Sequence, residues 1–136
     1  MTPKPCSPTW KPDSSSCSMP EYQRGDIVRV SCDPSVGVEP KKTRTCVIVS
    51  NDLANKFGAA VTVVPTQEWT EERAARLYMV DLRRPHSEMT ADRVANASMI
   101  MTYDRRRIVA AEGAISDEAL DELDQALALH LGLRPL

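Results

Sequence analysis

Arg44 and Thr66 are the two side chains whose type and placement suggest chemistry. Arg44 stands at the head of a β-rich run, Thr45 to Val49, and Thr66 just past the end of a second run, Ala59 to Val64. If these runs are neighbouring strands of one sheet, guanidinium and hydroxyl approach the same rim. Arginine offers a fixed fork of donors and threonine a short, rigid one, a combination that suits a phosphate. An edge arginine and an end-of-strand threonine with no shared role is the plainer alternative, and spacing alone favours it.

The surrounding chain supplies the elements that would hold such a rim. Asp26 to Cys32 alternates polar and apolar residues and reads as a strand. A polar loop follows, with Pro34, Gly37 and Pro40, and it carries Glu39, Lys41 and Lys42 up to Arg44. Loops on a rigid scaffold are common sites of function. Asn51 and Asp52 can cap a single helical turn through Asn55, and Phe57-Gly58 turns the chain back into Ala59 to Val64, a central strand that Pro65 is expected to end. The stretch QEWTEERAARL predicts a loop or one loose helical turn. Leu77 to Leu82 predicts a strand, residues 91 to 103 two short strands around a polar centre, and Ile108 to Ile115 a last irregular strand broken at Gly113.

The clearest element is a C-terminal helix. Ser116 is a good N-cap, Asp117 and Glu118 suit the first turn, Leu120, Leu123, Leu127 and Leu131 recur at spacings of three and four, and Gly132 is a stop. Several short strands and one terminal helix predict a mainly β fold of the α+β kind, a small, strongly bent antiparallel sheet or barrel of about five to seven strands with the helix packed against it.

Composition narrows the function classes. At 136 residues, 42% apolar and 26% charged, the chain has the make-up of one ordinary globular domain. No apolar run approaches the roughly 20 residues a membrane helix needs, and the N-terminus lacks the apolar centre of a signal peptide, so a cytoplasmic location is expected. Residues 1–20 hold five prolines and five serines and are expected to be a disordered tail before a domain at 21–136, with Met19 a plausible alternative start. Cys6, Cys17, Cys32 and Cys46 have no C-x-x-C spacing and read as reduced thiols. His86 and His130 sit where neither a zinc site nor a catalytic base is suggested. Gly-rich phosphate loops and G-x-S-x-G and H-E-x-x-H motifs are missing, and no cofactor is expected. The net charge of −2 conceals an uneven distribution. Residues 114–136 carry one base and five acids, whereas cations cluster at Lys41 to Arg44, Arg73 and Arg76, Arg83 and Arg84, and Arg105 to Arg107. A basic face is therefore compatible with the total, although solvated charges would give the same counts.

The run GDIVRVSCDPSVGVEPKKTRTCVIVSND followed by VTVVPTQ resembles the MazF/PemK family of toxin endoribonucleases. Gly25, Asp26, Asp33, Pro34, Gly37, Glu39, Arg44, Ser50, Thr66 and Gln67 fall in register with the family pattern, and the likeness extends from about Gly25 to Leu133. It implies an SH3-like barrel, a homodimer, metal-independent cleavage of single-stranded RNA to 2′,3′-cyclic phosphate and 5′-hydroxyl ends, and neutralisation by an antitoxin peptide. Arg44 matches the catalytic arginine. Thr66 matches the catalytic threonine, allowing a one-residue offset, because the family often carries threonine where Pro65 stands. RNA contacts are implied at Arg29, Ser31, Glu39, Lys41, Lys42, Thr45 and Gln67. Three positions depart from the pattern: Thr45 replaces the proline after the arginine, Ser31 an acidic or amide residue, and Ser98 to Met101 a strand that usually bears a glutamine and a base. The fold also resembles that of the CcdB-type gyrase poisons, which act by binding, so a non-enzymatic toxin or a weakened member is the second expectation.

Overall fold

The computed structural model describes residues 21–31, 43–89 and 91–133, so the expectations for the tail at 1–20 and for Glu39, Lys41 and Lys42 fall outside the described residues. Seven strands form one bent antiparallel sheet. They are β1 (Asp26–Ser31), β2 (Thr43–Ile48), β3 (Ala60–Glu68), β4 (Met79–Asp81), β5 (Arg93–Asn96), β6 (Met101–Asp104) and β7 (Ile108–Ala114). The order is β4-β5-β3-β2-β1-β7, with β6 paired to the first half of β3. No ladder joins β4 to β7, but a bridge between Ser87 and Ile115 brings the two ends of the sheet together, so the shape is that of a small barrel left open along one seam.

Strand alternation divides the apolar residues between two cores. On one face Ile27, Val47, Val64, Val80, Leu82 and Ala95 pack under helix α3 (Asp117–His130), which contributes Ala119, Leu123, Ala126 and Leu127. On the other, Val28, Val30, Cys46, Ile48, Val61 and Val63 cluster with Tyr22, Tyr103 and Ile108. The cap expected for α3 is present, Ser116 Oγ accepting from the Ala119 N–H at 3.0 Å. Leu131, expected on the apolar stripe, lies past the last helical turn and is exposed. Asn51 likewise caps α1 (Asp52–Phe57), accepting from Ala54 N–H at 2.8 Å, and a single short helix, α2 (Glu71–Ala74), occupies the stretch expected to be loop or loose turn.

One expectation fails in an instructive way. Pro65 does not end the third strand, because β3 runs on to Glu68. Along one edge β3 pairs with β2 through Cys46↔Pro65. Along the other it pairs with β6 over Ala60 to Val63 and with β5 over Thr66 to Glu68. Pro65 sits where the second edge changes partner, the one place in the strand where a missing N–H costs no ladder bond. Thr66 and Gln67 are therefore strand residues with alternating faces, and not loop residues.

Candidate nucleic-acid interface

Arg44 is exposed near the start of β2 and pairs across the sheet with Val30. It shares its face with Cys46 and Ile48, the second core. Among the described residues its guanidinium makes neither an ion pair nor a hydrogen bond. Most of the other described arginines, including those grouped into a basic face by sequence, are engaged by acids or carbonyls of the chain itself. Arg29 pairs with Glu112 at 2.7 Å, Arg83 with Asp81 at 2.8 Å and Arg106 with Asp104 at 3.0 Å. Arg73 donates to the Glu68 carbonyl, Arg84 to that of Met89, Arg105 to those of Asn55 and Gly58, and Arg107 to that of Ser31. The side-chain bond from Arg106 holds the Asp104 carboxyl down at about 2. Burial pushes the Asp81 carboxyl up, but the bonds from Arg83 outweigh it and the net shift is downward. Arg83 also lies over Trp69, 3.9 Å from the ring centre. These arginines are structural groups, which a count of charges cannot reveal.

Thr66 lies on the opposite face. Its neighbour Val64 belongs to the core under α3, as does its cross-strand partner Ala95. Its side chain is enclosed, at 5% exposure, and its hydroxyl is committed twice: it donates to the Thr45 carbonyl at 2.7 Å and accepts from Arg93 Nε at 3.0 Å. Arg93 Nη2 adds a bond to the Thr66 carbonyl at 3.3 Å. The structure thus joins the end of β3 to the residue after Arg44, yet the two side chains expected to act together point to different sides of the sheet. Arg93, which sequence reasoning passed over as one more strand residue, is the partner of Thr66.

The residue whose face matches Arg44 is Gln67. With Cys46 opposite Pro65, continuing the register by two residues sets Arg44 opposite Gln67. Gln67 shares parity with Val61 and Val63 of the second core, is partly exposed, and its Oε1 accepts from Asn96 Nδ2 at 3.3 Å.

On the Thr66 side, Arg29, Thr45, Glu88, Met89, Ala91, Arg93 and Glu112 line a cavity of about 290 Å³. Arg29 and Thr45 are direct cross-strand partners, and Glu88 Oε1 accepts from Ala114 N–H at 2.8 Å. Ser31 closes β1, and its carbonyl receives Arg107. Of the expected contact set, then, Arg29 and Thr45 meet at the cavity, Arg44 and Gln67 stand on the reverse face, and Ser31 lies at the strand end between β2 and β7. Among the described residues no group of three or more His, Cys, Asp or Glu side chains is placed to hold a metal, and no helix is long and apolar enough to cross a membrane. Cys46 is a buried free thiol in the second core.

The chain is similar to known proteins over most of its length. Residues 23–131 match the family described as PemK-like, MazF-like toxin of type II toxin-antitoxin system. Endoribonuclease MazF9 of Mycobacterium tuberculosis is 36% identical over 118 residues, covering 82% of this chain and 97% of that protein. Two solved structures share the fold at lower identity. One is an endoribonuclease in complex with its cognate antitoxin from a mycobacterial species, with a TM-score of 0.67 and 23% identity over 85% of this chain and 99% of the other. The second is a MazE-MazF complex from Deinococcus radiodurans, with a TM-score of 0.70 and 18% identity over 85% of this chain and 100% of the other.

Proposed function

We propose that this chain, which belongs to the PemK-like, MazF-like toxin family of type II toxin-antitoxin systems, cuts single-stranded RNA as an endoribonuclease, with Arg44 as the charge that stabilises the reacting phosphate. The observation that carries the assignment of Arg44 is its availability. It is exposed at the rim where β1, β2 and β3 end, and among the described residues it has none of the acid or carbonyl partners that occupy most of the other arginines.

The reaction asks little covalent work of the protein. The ribose 2′-hydroxyl gives its proton to water or hydroxide, its oxygen bonds to the adjacent phosphorus, and the P–O5′ bond breaks, the departing oxygen taking a proton from solvent. The products are a 2′,3′-cyclic phosphate and a 5′-hydroxyl. What the site must supply is alignment of that 2′-oxygen and compensation for the negative charge that grows on the phosphorane oxygens. A guanidinium does the second through two parallel N–H donors. Arginine stays protonated at working pH and so acts electrostatically, not as a base.

The RNA backbone crosses the rim at Ser31, Arg44 and Gln67, with Arg29 and Thr45 on the cavity behind, and the contacts expected of Glu39, Lys41 and Lys42 belong to the stretch of chain between β1 and β2. The named endoribonuclease relative favours cleavage over gyrase binding. An antitoxin segment, acidic with apolar anchors, would compete for the same rim in a cytoplasmic homodimer. Arg44→Ala tests the reading. Incubation with a long RNA in EDTA should give 5′-hydroxyl and cyclic-phosphate ends for the native chain and a rate about 100-fold to 1,000-fold lower for the variant, the range seen when one preorganised donor to a developing oxyanion is removed. An unchanged cleavage ladder would refute it.

A further inference from the structure

We infer that Gln67, held by Asn96, is the second phosphate-contacting group of this site, and that Thr66 is a structural residue. The inference rests on the reading of Arg44 given above and assigns its partner.

The bonds around the two amides determine which of their atoms touch. Asn96 Oδ1 accepts from the Ser98 N–H at 3.0 Å and from the Ser98 hydroxyl at 2.6 Å, so that atom must be the oxygen. Its other end is then the NH₂ group, which donates to Gln67. The Gln67 atom that receives it is in turn the oxygen. Gln67 is left with its own NH₂ turned outward, and both of those N–H groups are uncommitted among the described residues. The short 3₁₀ turn at Ala97–Met99 that follows β5 thereby fixes the donor end of a side chain on β3, the strand next to that of Arg44.

Strand geometry supplies the rest. Side chains on a strand alternate faces, so a residue and its cross-strand partner share one. Arg44 shares a face with Val30, Cys46 and Ile48, and Gln67 with Val61 and Val63, all members of one core. Thr66 is out of phase by one residue, its hydroxyl spent on Thr45 and Arg93. To reach a phosphate on the Arg44 side it would have to break both bonds and pass through the sheet. Guanidinium and carboxamide donors together form a neutral-plus-cationic fork for two phosphoryl oxygens. Neither transfers a proton, which matches a reaction whose nucleophile belongs to the substrate.

The test uses single-turnover cleavage of an oligonucleotide carrying a mapped cut site, with the protein in excess. Gln67→Ala should slow the chemical step about 30-fold to 100-fold, and Gln67→Glu, nearly the same shape but repelling phosphate, at least as much. Affinity for the uncleavable 2′-deoxy analogue at the cut site should change less than threefold in Gln67→Ala. Asn96→Ala should slow the native chain about fivefold and the Gln67→Ala chain less than twofold, because it acts through Gln67. Thr66→Val should stay within threefold of the native rate at 25 °C. A Gln67→Ala rate within threefold of native, an equal Asn96→Ala effect in both backgrounds, or a Thr66→Val loss as deep as that of Arg44→Ala would each overturn the inference. An Arg44→Ala protein that cleaves at the native rate would instead overturn the functional reading beneath it.

Discussion

Thr66→Val is the substitution that most sharply separates stability from chemistry in this fold. Valine keeps the branched shape and the β preference of the residue it replaces and removes only the hydroxyl. That hydroxyl makes one neutral bond, to the Thr45 carbonyl at 2.7 Å, and one charge-assisted bond, from Arg93 at 3.0 Å. Neutral bonds contribute about 1 kcal/mol net and bonds to charged groups about 1.5–3 kcal/mol. Arg93 is only half-buried and can turn to water, so the lower end applies to it. The extra apolar surface of valine at an enclosed position returns a fraction of the loss. The balance is about 1.5–2.5 kcal/mol of destabilisation, which for a domain of this size lowers Tm by roughly 6–12 °C. Circular-dichroism melts and urea titrations read the effect directly. A Tm within 2 °C of the native chain would mean that the Thr45–Thr66–Arg93 chain of bonds contributes nothing, and the assignment of Thr66 as a rivet between β2, β3 and β5 would be wrong.

Two further outcomes follow from groups away from the rim. Asn55 is fully buried, donates to the Ser50 carbonyl at 2.8 Å and is bonded by the Ser50 hydroxyl, so Asn55→Ala should cost about 2–3 kcal/mol by leaving those partners unpaired, read as a fall in the urea midpoint at constant m-value. The Asp104 carboxyl is depressed to about 2 by Arg106, so its contribution to stability is present above the ordinary carboxylate range and is lost as pH falls from about 4 through 2. Arg106→Ala should flatten that part of the acid-unfolding curve, by a small amount because the pair is exposed and screened by solvent; an unchanged acid limb would show the pair to be inert.

Much of the architecture was legible because it rests on local signals. Ser116 and Asn51 announced their helices through caps, and the spacing of Leu120, Leu123 and Leu127 fixed the buried stripe of α3. The number of strands and the irregularity of the last one followed from runs of β-branched residues broken by glycine and proline. The pairing of the second and third strands was legible, and Thr45 and Thr66 are joined across it, but the expected meeting of the Arg44 and Thr66 side chains on one rim is not found, because they face opposite sides of the sheet. The phase of the third strand was not legible. Proline within a strand depends on which edge needs its N–H, and that is a property of the pairing partners β2, β5 and β6, not of the sequence around Pro65. A one-residue error in where a strand stops is an error in face, because the side-chain period is two. The same holds for the arginines: clustering in sequence marked them as a basic surface, while in the fold Arg83 and Arg106 pair with carboxylates two residues away, Arg73 and Arg84 with carbonyls five residues away, and Arg105 and Arg107 with carbonyls of distant elements.

This selective use of arginine bears on how the chain holds Thr45 where the resembled family pattern has proline. A proline there would stiffen the entry to β2 by fixing φ of the residue after Arg44. In this chain the same residue is fixed from outside. Its carbonyl accepts the Thr66 hydroxyl, the hydroxyl is gripped by Arg93, and its cross-strand partner Arg29 is anchored to Glu112. Three strands thus hold by hydrogen bonds what a ring would hold covalently. The arrangement explains why a threonine and an arginine on the cavity face are spent on structure, and it leaves the recognition of phosphate to the reverse face, where Arg44 and the outward amide of Gln67 stand in register. Rigid placement of Arg44 and a free Thr66 hydroxyl are then alternatives that one sequence cannot hold together: releasing the hydroxyl for substrate would loosen the strand that aims the guanidinium.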